Sequence, residues 1–325
     1  MDALRGEGES RLLSSVIVVG SANVDLGLQV DHLPRPGETS LTRNRTIRVG
    51  GKGVNQAVSA AKLGARTSFV GCVGDDSDGR RVLSELRSAG VDTTSLEILN
   101  GVETGLAVVM VAEGGENTIL VVPGANGLVP EERVSRVIEK EARPGSVVVV
   151  QGEIPGAAIE AAVRAGNASG CFVVLNLAPV VPIAREVLRL VDVLIVNEVE
   201  AASLLGRSSV GPSHVRHAAA ELSEWVAHGV VITLGEAGAY WQERSGTGGN
   251  TAAWQVEVVD TTGAGDAFVG AFAASASRGS GIQKAAEYGA LAGTYAVQGM
   301  GAQSSYPSVD QLNTFAQQLR LASAC

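Results

Sequence analysis

The sequence predicts an α/β protein in which a mostly parallel central sheet is flanked by helices and a small antiparallel sheet projects as a lid. Three observations carry this. Short Val/Ile/Leu-rich runs ending on Gly, Asn or Pro alternate with stretches of Ala, Glu and Leu at helical spacing, the signature of strand, helix and strand repeated. Two other segments alternate with period two around central turn residues and contain no helical stretch. Finally, 325 residues with 45% apolar content suffice for a buried core, while a formal net charge of −9 offers no basic footprint for nucleic acid or an anionic membrane surface.

Residues 1–15 contain Asp2, Glu7 and Glu9 and read as a flexible N-terminal tail, since transit peptides are poor in acids. One α/β domain is expected over 16–325. Its first strand, 16–19, runs into Gly20. A hairpin follows over 26–49, with Pro34, Pro36 and Gly37 at the turn. Helices are expected at 56–63 and 80–89, closing on Gly64 and Gly90. The second hairpin pairs 106–112 with 117–122 around Glu113-Gly114-Gly115-Glu116, where the glycines are expected at positive φ. Strands without helices on their faces cannot lie inside a parallel sheet, so lid insertions are placed at about 24–50 and 103–123. The alternation then continues with strands at 147–150, 172–175, 193–196 and 230–234, and helices at 157–164 and 215–226. No apolar run is long enough for a membrane span. Cys72, Cys171 and Cys325 are odd in number and widely spaced, as free thiols in a reducing cytoplasm would be.

The 41 glycines are nearly twice the usual roughly 7% and follow no G-X-Y period, so they serve particular backbone positions. The most informative stretch is Asp260-Thr261-Thr262-Gly263-Ala264-Gly265-Asp266, which enters an apolar helical run. Two glycines at a helix start leave unpaired N–H groups and the positive dipole end open to an anion. Asp266 could simply cap that helix. Beside an anion hole, it is also placed to take a proton from a hydroxyl attacking a phosphoryl group. Gly50-Gly51-Lys52-Gly53-Val54-Asn55-Gln56 is not a P-loop, because Thr46 and Gly53 stand where Gly and Ser or Thr would be needed. No G-x-G-x-x-G follows the first strand, which leads instead into Gly20-Ser21-Ala22-Asn23-Val24-Asp25. The glycine pair lets backbone approach a ligand, with Asn55 offering an amide to hydroxyls.

These three motifs, GSANVD, GGKGVNQA and DTTGAGDAF, together resemble the ribokinase-like PfkB family of carbohydrate kinases, in family order. Gln151-Gly152-Glu153, Asn197-Glu198-Val199-Glu200 and Gly301-Ala302-Gln303-Ser304-Ser305 extend the resemblance from about residue 17 to 307. It implies a Rossmann-like fold with a lid, and transfer of phosphate from ATP to the 5-hydroxyl of D-ribose. It further implies Asp266 as general base, with N–H groups around Gly263, Ala264 and Gly265 as the anion hole. Asn23, Asp25, Gly51, Lys52, Asn55, Glu153 and Asp266 itself would bind the sugar. Asn197, the loop Thr233-Leu234-Gly235-Glu236-Ala237-Gly238, and Gly265 would bind ATP. Ala290 stands where bacterial relatives carry a His near the adenine. Glu200 would hold Mg²⁺ through water. K⁺ would be bound by the side chains of Asp260 and Ser305 and carbonyls of Thr262, Ala296, Gly299 and Gly301. A homodimer joined through the lid sheets is the implied assembly, with no nucleic-acid or membrane partner.

Other readings weigh less. His214 and His217 stand three apart without a third ligand and suit a solvated helix face. Arg43, Arg45 and Arg48 suit an exposed edge strand better than a phosphosugar grip. No G-x-S-x-G esterase signature occurs. Segments 23–50 and 101–126 lack Phe, Tyr and Trp, so they favour a small polyol over a nucleoside base. Deoxyribose, fructose or a nucleoside as acceptor, a non-catalytic sugar sensor, and a dinucleotide oxidoreductase are the remaining alternatives.

Overall fold

A computed structural model of the chain describes residues 15–114 and 116–322. The expected tail over residues 1–14 and Gly115 lie outside the described residues. Ser15, expected to end that tail, is already tied to the sheet: its carbonyl accepts from Val147 N at 2.8 Å.

The chain runs through β1 (Val16–Val19), β2 (Asn23–Val30), β3 (Asn44–Gly50), α1 (Lys52–Lys62), β4 (Thr67–Gly74), α2 (Ser77–Ser88), β5 (Leu96–Leu99), β6 (Gly105–Ala112) and β7 (Asn117–Val122). It continues as α3 (Glu131–Glu141), β8 (Val147–Gln151), α4 (Gly156–Ala168), β9 (Phe172–Asn176), α5 (Arg185–Leu188), β10 (Val193–Asn197), α6 (Glu198–Leu204), α7 (Val215–Ser223) and β11 (Gly229–Thr233). Two further strands, β12 (Ala239–Glu243) and β13 (Gly248–Thr251), precede α8 (Ala264–Ala276), α9 (Ile282–Ala296) and α10 (Val309–Ala322).

Nine strands form the main sheet in the order β13-β12-β11-β10-β9-β8-β1-β4-β5. It is parallel from β11 to β5, and β12 and β13 are antiparallel additions. The buried VIVV of β1 lies inside the sheet, between β8 and β4, where both faces are covered, as a continuous apolar run requires. Successive residues there serve opposite layers. Val16 and Val18 pack with α1, α2, α8, α9 and α10, while Ile17 and Val19 pack with α3, α4, α5, α6 and α7. α8 and α9 are rich in Ala, which lets them lie closely side by side under the sheet.

The lid is a separate four-stranded sheet in the order β3-β2-β6-β7. Each expected hairpin is antiparallel, and the two are joined by a parallel pair, β2 with β6. That joint follows from connectivity: β4, α2 and β5 intervene between the hairpins and return the chain in the same direction.

Three local expectations change. Helix α1 starts at Lys52, four residues before the apolar periodicity begins. Its glycine-rich start hid this: Gly53 is required because a Cβ there would lie 2.6 Å from Ser21 N. Helix α7 stops at Ser223, short of residue 226, where Trp225 N turns back to Leu222 O at 3.0 Å. Gly114 is not at positive φ, and the loop is closed by Ala112 N to Glu116 O at 2.9 Å.

Candidate active site

After β1 the chain turns to the lid and β4 on one side, whereas β8 and its successors lie on the other. Open α/β sheets bind ligands at the carboxyl ends of the strands beside such a reversal. Here the two loops meet. Ser21 Oγ, after β1, donates to Glu153 Oε2, after β8, at 2.5 Å, and Lys52 N donates to the same oxygen at 3.0 Å. Gly51 makes the turn into α1 at φ 88°, and a Cβ on it would come within 2.9 Å of Asn23 N. Asn23 is buried and oriented by Asn126, whose Nδ2 donates to its Oδ1 at 2.7 Å while Asn126 Oδ1 accepts from Ala22 N at 2.8 Å.

Asp25 extends from β2 toward the body. Burial, reinforced by the negative charges of Glu153 and Asp266, pushes its carboxyl up to about 6. A Cβ on Gly50 would stand 2.0 Å from Asp25 Oδ2, so Gly50 leaves the room this carboxylate occupies. A cavity of about 750 Å³ opens between lid and body, from Asp25 and Thr46 to Asp260 and Gln303.

Asp266 enters from the opposite side, in the first turn of α8, and is buried. Its Oδ2 accepts from Asn55 Nδ2 at 3.0 Å and its Oδ1 from Gln56 Nε2 at 2.9 Å. It makes no cap to its own helix; Gly263, left-handed at φ 76°, opens α8 without a side-chain hydrogen bond. A Cβ on Gly263 would meet Ala302 Cβ at 2.5 Å, and Tyr306 Oη fixes the Gly263 carbonyl at 3.0 Å. Burial, then Asp266 and Asp25, raises the Tyr306 phenol well above its ordinary value, so it remains a neutral donor. Gly265 is exposed, with open space where a side chain would project. The start of α8 thus offers N–H groups to an incoming anion beside a carboxylate that points inward.

Lys52 binds these acids together electrostatically. Asp266 raises its pKa most, burial opposes this, and Glu153 and Glu200 add to the rise. Asn197 and Glu200 form a capping box on α6: Glu200 N donates to Asn197 Oδ1 and Asn197 N to Glu200 Oε2, both at 2.8 Å. Burial pushes the Glu200 carboxyl up against the pull of the Asn197 N–H and Lys52. Thr233 is the register partner of Asn197 on β11. The loop behind it is closed by Leu234 N to Gly238 O at 2.8 Å. Ala290 lies on α9, buried in the core.

The loop before α8 meets the loop after α9. Asp260 Oδ1 accepts from Thr262 N and Oγ1 at 2.9 and 2.6 Å, and Oδ2 accepts from Gly301 N at 2.8 Å. Burial works against ionisation of Asp260, but these bonds and the nearby Arg48 outweigh it and hold the carboxyl below its usual range. Gly299 N returns to Ala296 O at 3.1 Å, and a Cβ on Gly299 would reach Ser305 Cβ at 2.9 Å. Among the described residues no group of three His, Cys, Asp or Glu is gathered for a metal ion.

Four contributors went unassigned in the sequence. Ser21, Gln56 and Gln303 stand inside recognised motifs, yet nothing in a motif says that Gln56 touches Asp266 or that Gln303 Nε2 holds Asn55 Oδ1 at 2.8 Å. Asn126 belongs to no motif, and its role exists only through the fold. Arg43 forms ion pairs with Asp31 and Glu113 within the lid, in accord with the edge-strand reading.

The family model for pfkB family carbohydrate kinases matches residues 13–309. The chain belongs to that family. This carbohydrate kinase is 36% identical over 305 residues to a ribokinase of Schizosaccharomyces pombe, covering 91% of this chain and 95% of that protein. It is 34% identical over 301 residues to a deoxyribokinase of Salmonella typhimurium, covering 92% and 98%. Its fold superposes with a TM-score of 0.85 on the structure of Arabidopsis thaliana ribokinase complexed with ribose and ATP, at 32% identity over 94% of this chain and 99% of that one. The central sheet with a projecting lid is therefore this kinase's family architecture.

Proposed function

We propose that the chain is an ATP-dependent ribokinase, transferring the γ-phosphoryl group of ATP to the 5-hydroxyl of D-ribose to give D-ribose 5-phosphate. The observation that carries this reading is Asp266, buried and held by two amides immediately beside the N–H groups of Gly263 and Gly265 at the start of α8, while the Ala264 N–H is turned back to Thr261 O at 3.2 Å. The ribokinase relative and the ribose-bound neighbour support ribose as acceptor. Deoxyribose is the second reading, because a deoxyribokinase is nearly as similar.

In this reading Asp25 and Glu153 accept from the ring hydroxyls, while Asn23, Lys52 and Asn55 donate to them and Gly51 lets the backbone come close. The sugar bridges lid and body, so binding draws the lid down and excludes water from the reacting atoms. Asp266 takes the 5-hydroxyl proton as the oxygen attacks, and the N–H groups at the start of α8 meet the charge on the phosphoryl oxygens. ATP lies along the carboxyl ends of β10 and β11, against Asn197 and residues Thr233 to Gly238, with the Ala290 region toward the adenine.

We assign two cations as cofactors. Mg²⁺ is hard and is usually held by one or two carboxylates plus phosphate oxygens and water, which suits the half-free carboxylate of Glu200. K⁺ suits the all-oxygen set of Asp260, Ser305, Thr262, Ala296, Gly299 and Gly301, since α9 ends at Ala296 and turns the negative end of its dipole to that loop. A monovalent cation held there would supply positive potential beside the N–H groups at the start of α8. We further assign a homodimer through the lids, whose Ile47, Ile119, Leu120, Val121 and Val122 are exposed apolar residues, and a cytoplasmic location, which the unpaired thiols of Cys72 and Cys171 suit. Phosphorus NMR of the product tests the proposal: the new phosphate ester must be on carbon 5 of ribose, and an ester elsewhere or no product overturns it.

A further inference from the structure

The two amides that hold Asp266 are themselves held, in a way that fixes which end each presents. Gln56 is wholly buried, and its Nε2 donates both to Asp266 Oδ1 and to Asn176 Oδ1, each at 2.9 Å. Asn176 Nδ2 donates to the carbonyl of Ile195 on β10 at 3.0 Å, and Gln56 Oε1 accepts from Gln151 Nε2 at 2.8 Å. On the other side Asn55 Nδ2 donates to Asp266 Oδ2, and Asn55 Oδ1 accepts from Gln303 Nε2. Gln303 Nε2 also donates to the carbonyl of Val49, on lid strand β3, at 3.0 Å.

A backbone carbonyl can only accept. Because Ile195 O accepts, Asn176 must turn its oxygen to Gln56, and Gln56 must turn its NH₂ to both Asn176 and Asp266. Because Val49 O accepts, Gln303 must turn its NH₂ to Asn55, which must turn its own NH₂ to Asp266. Reversing any one amide sets oxygen against oxygen at about 3 Å in a buried place, where an unmade hydrogen bond is costly. The atoms left over fit this order. Gln151 Oε1 and Gln303 Oε1 are buried without a hydrogen-bond partner among the described residues, and each belongs to an amide that does not itself touch Asp266.

We propose that these two amide relays, anchored on the carbonyls of Ile195 and Val49, make both oxygens of Asp266 obligate acceptors and so keep it aligned as the base. Asn176 and Gln303 act through Gln56 and Asn55; they are positioning residues, and this role rests on the assignment of Asp266 as base. One relay starts on the sheet and the other on the lid, so the base is referenced to both parts of the molecule that the sugar bridges.

A mutant cycle tests this, with ADP release and ribose affinity measured for Asn176→Leu and Gln303→Leu, each alone and combined with Asp266→Asn. The relay predicts that each Leu variant lowers kcat about 10-fold while the ribose KM stays within about 3-fold, and that the same change costs less than about 2-fold once Asp266 is already Asn. Equal losses in both backgrounds overturn the relay, because a purely structural role does not depend on the carboxylate. The isosteric Gln303→Glu keeps the volume but leaves at most one proton for two acceptors, so it must reproduce the loss even if truncation to Leu prevents folding. Failure of the base assignment is separately visible: Asp266→Asn alone would then turn over near normally.

Discussion

Ser21 Oγ and Glu153 Oε2 stand 2.5 Å apart and join the loops that leave the adjacent parallel strands β1 and β8. The contact sets the floor of the proposed sugar site, because the same carboxylate oxygen receives Lys52 N at the start of α1. Removing the hydroxyl with Ser21→Ala frees Glu153 on one side but leaves the backbone bond. A hydrogen bond to a charged group contributes about 1.5–3 kcal/mol. With the backbone contact retained, the ribose KM should rise roughly 3- to 10-fold and kcat change less than about 2-fold. Steady-state kinetics over a ribose series measures both.

Asp25 should make sugar binding pH-dependent. As pH falls through about 6 the carboxyl takes up a proton and can no longer accept from two hydroxyls, so ribose affinity should weaken. The stability change has the opposite sign. The folded carboxyl sits above its ordinary 3.8, so between that value and about 6 the folded state binds more protons than the unfolded one. Asp25 therefore destabilises the sugar-free protein increasingly as pH rises through that window, most of all above it. Asp25→Asn should raise the stability of the sugar-free protein by about 1–2 kcal/mol at neutral pH and weaken ribose binding at least about 10-fold. Calorimetric titration at pH 5 and 7.5, paired with thermal melting, checks both signs.

Asp266→Asn keeps the shape of the side chain and removes its basicity. It should lower kcat by roughly 10² or more with ribose binding nearly intact, as loss of a general base does. Isothermal titration with ribose, run beside the rate assay, separates a catalytic loss from a binding loss.

The loops around Asp260 should make the rate respond to monovalent cations. Replacing K⁺ by Na⁺ or a bulky organic cation should lower activity, and Asp260→Ala should remove most of that response by freeing Thr262 and Gly301 from their shared carboxylate. Equal rates in all three salts would refute the assigned site.

Five strands of the main sheet were legible because β1, β8, β9, β10 and β11 spell continuous buried apolar runs, whereas β4, β5, β12 and β13 were not expected. The two lid hairpins were legible from alternation, but not the parallel joint between β2 and β6, since strand pairing across 82 residues leaves no local trace. The start of α1 was hidden because Gly51 and Gly53 answer to contacts with Ser21 and Asn23 rather than to helix propensity. Within the site, motif spacing singled out Asp266, Glu153, Glu200 and Asp260 and the glycines at the start of α8 as candidates. It could not find Asn126, or the paths from Val49 and Ile195 to Asp266, since those are made by side chains that meet only after folding.

The most direct measurement of the central claim is kcat/KM from ADP release for D-ribose against deoxyribose, fructose, other pentoses and nucleosides, in K⁺ and Mg²⁺. The account predicts the highest value for D-ribose, with nucleosides poor because the lid strands carry no aromatic slot. A higher kcat/KM for deoxyribose, a hexose or a nucleoside, or no ADP release with any acceptor, would contradict it.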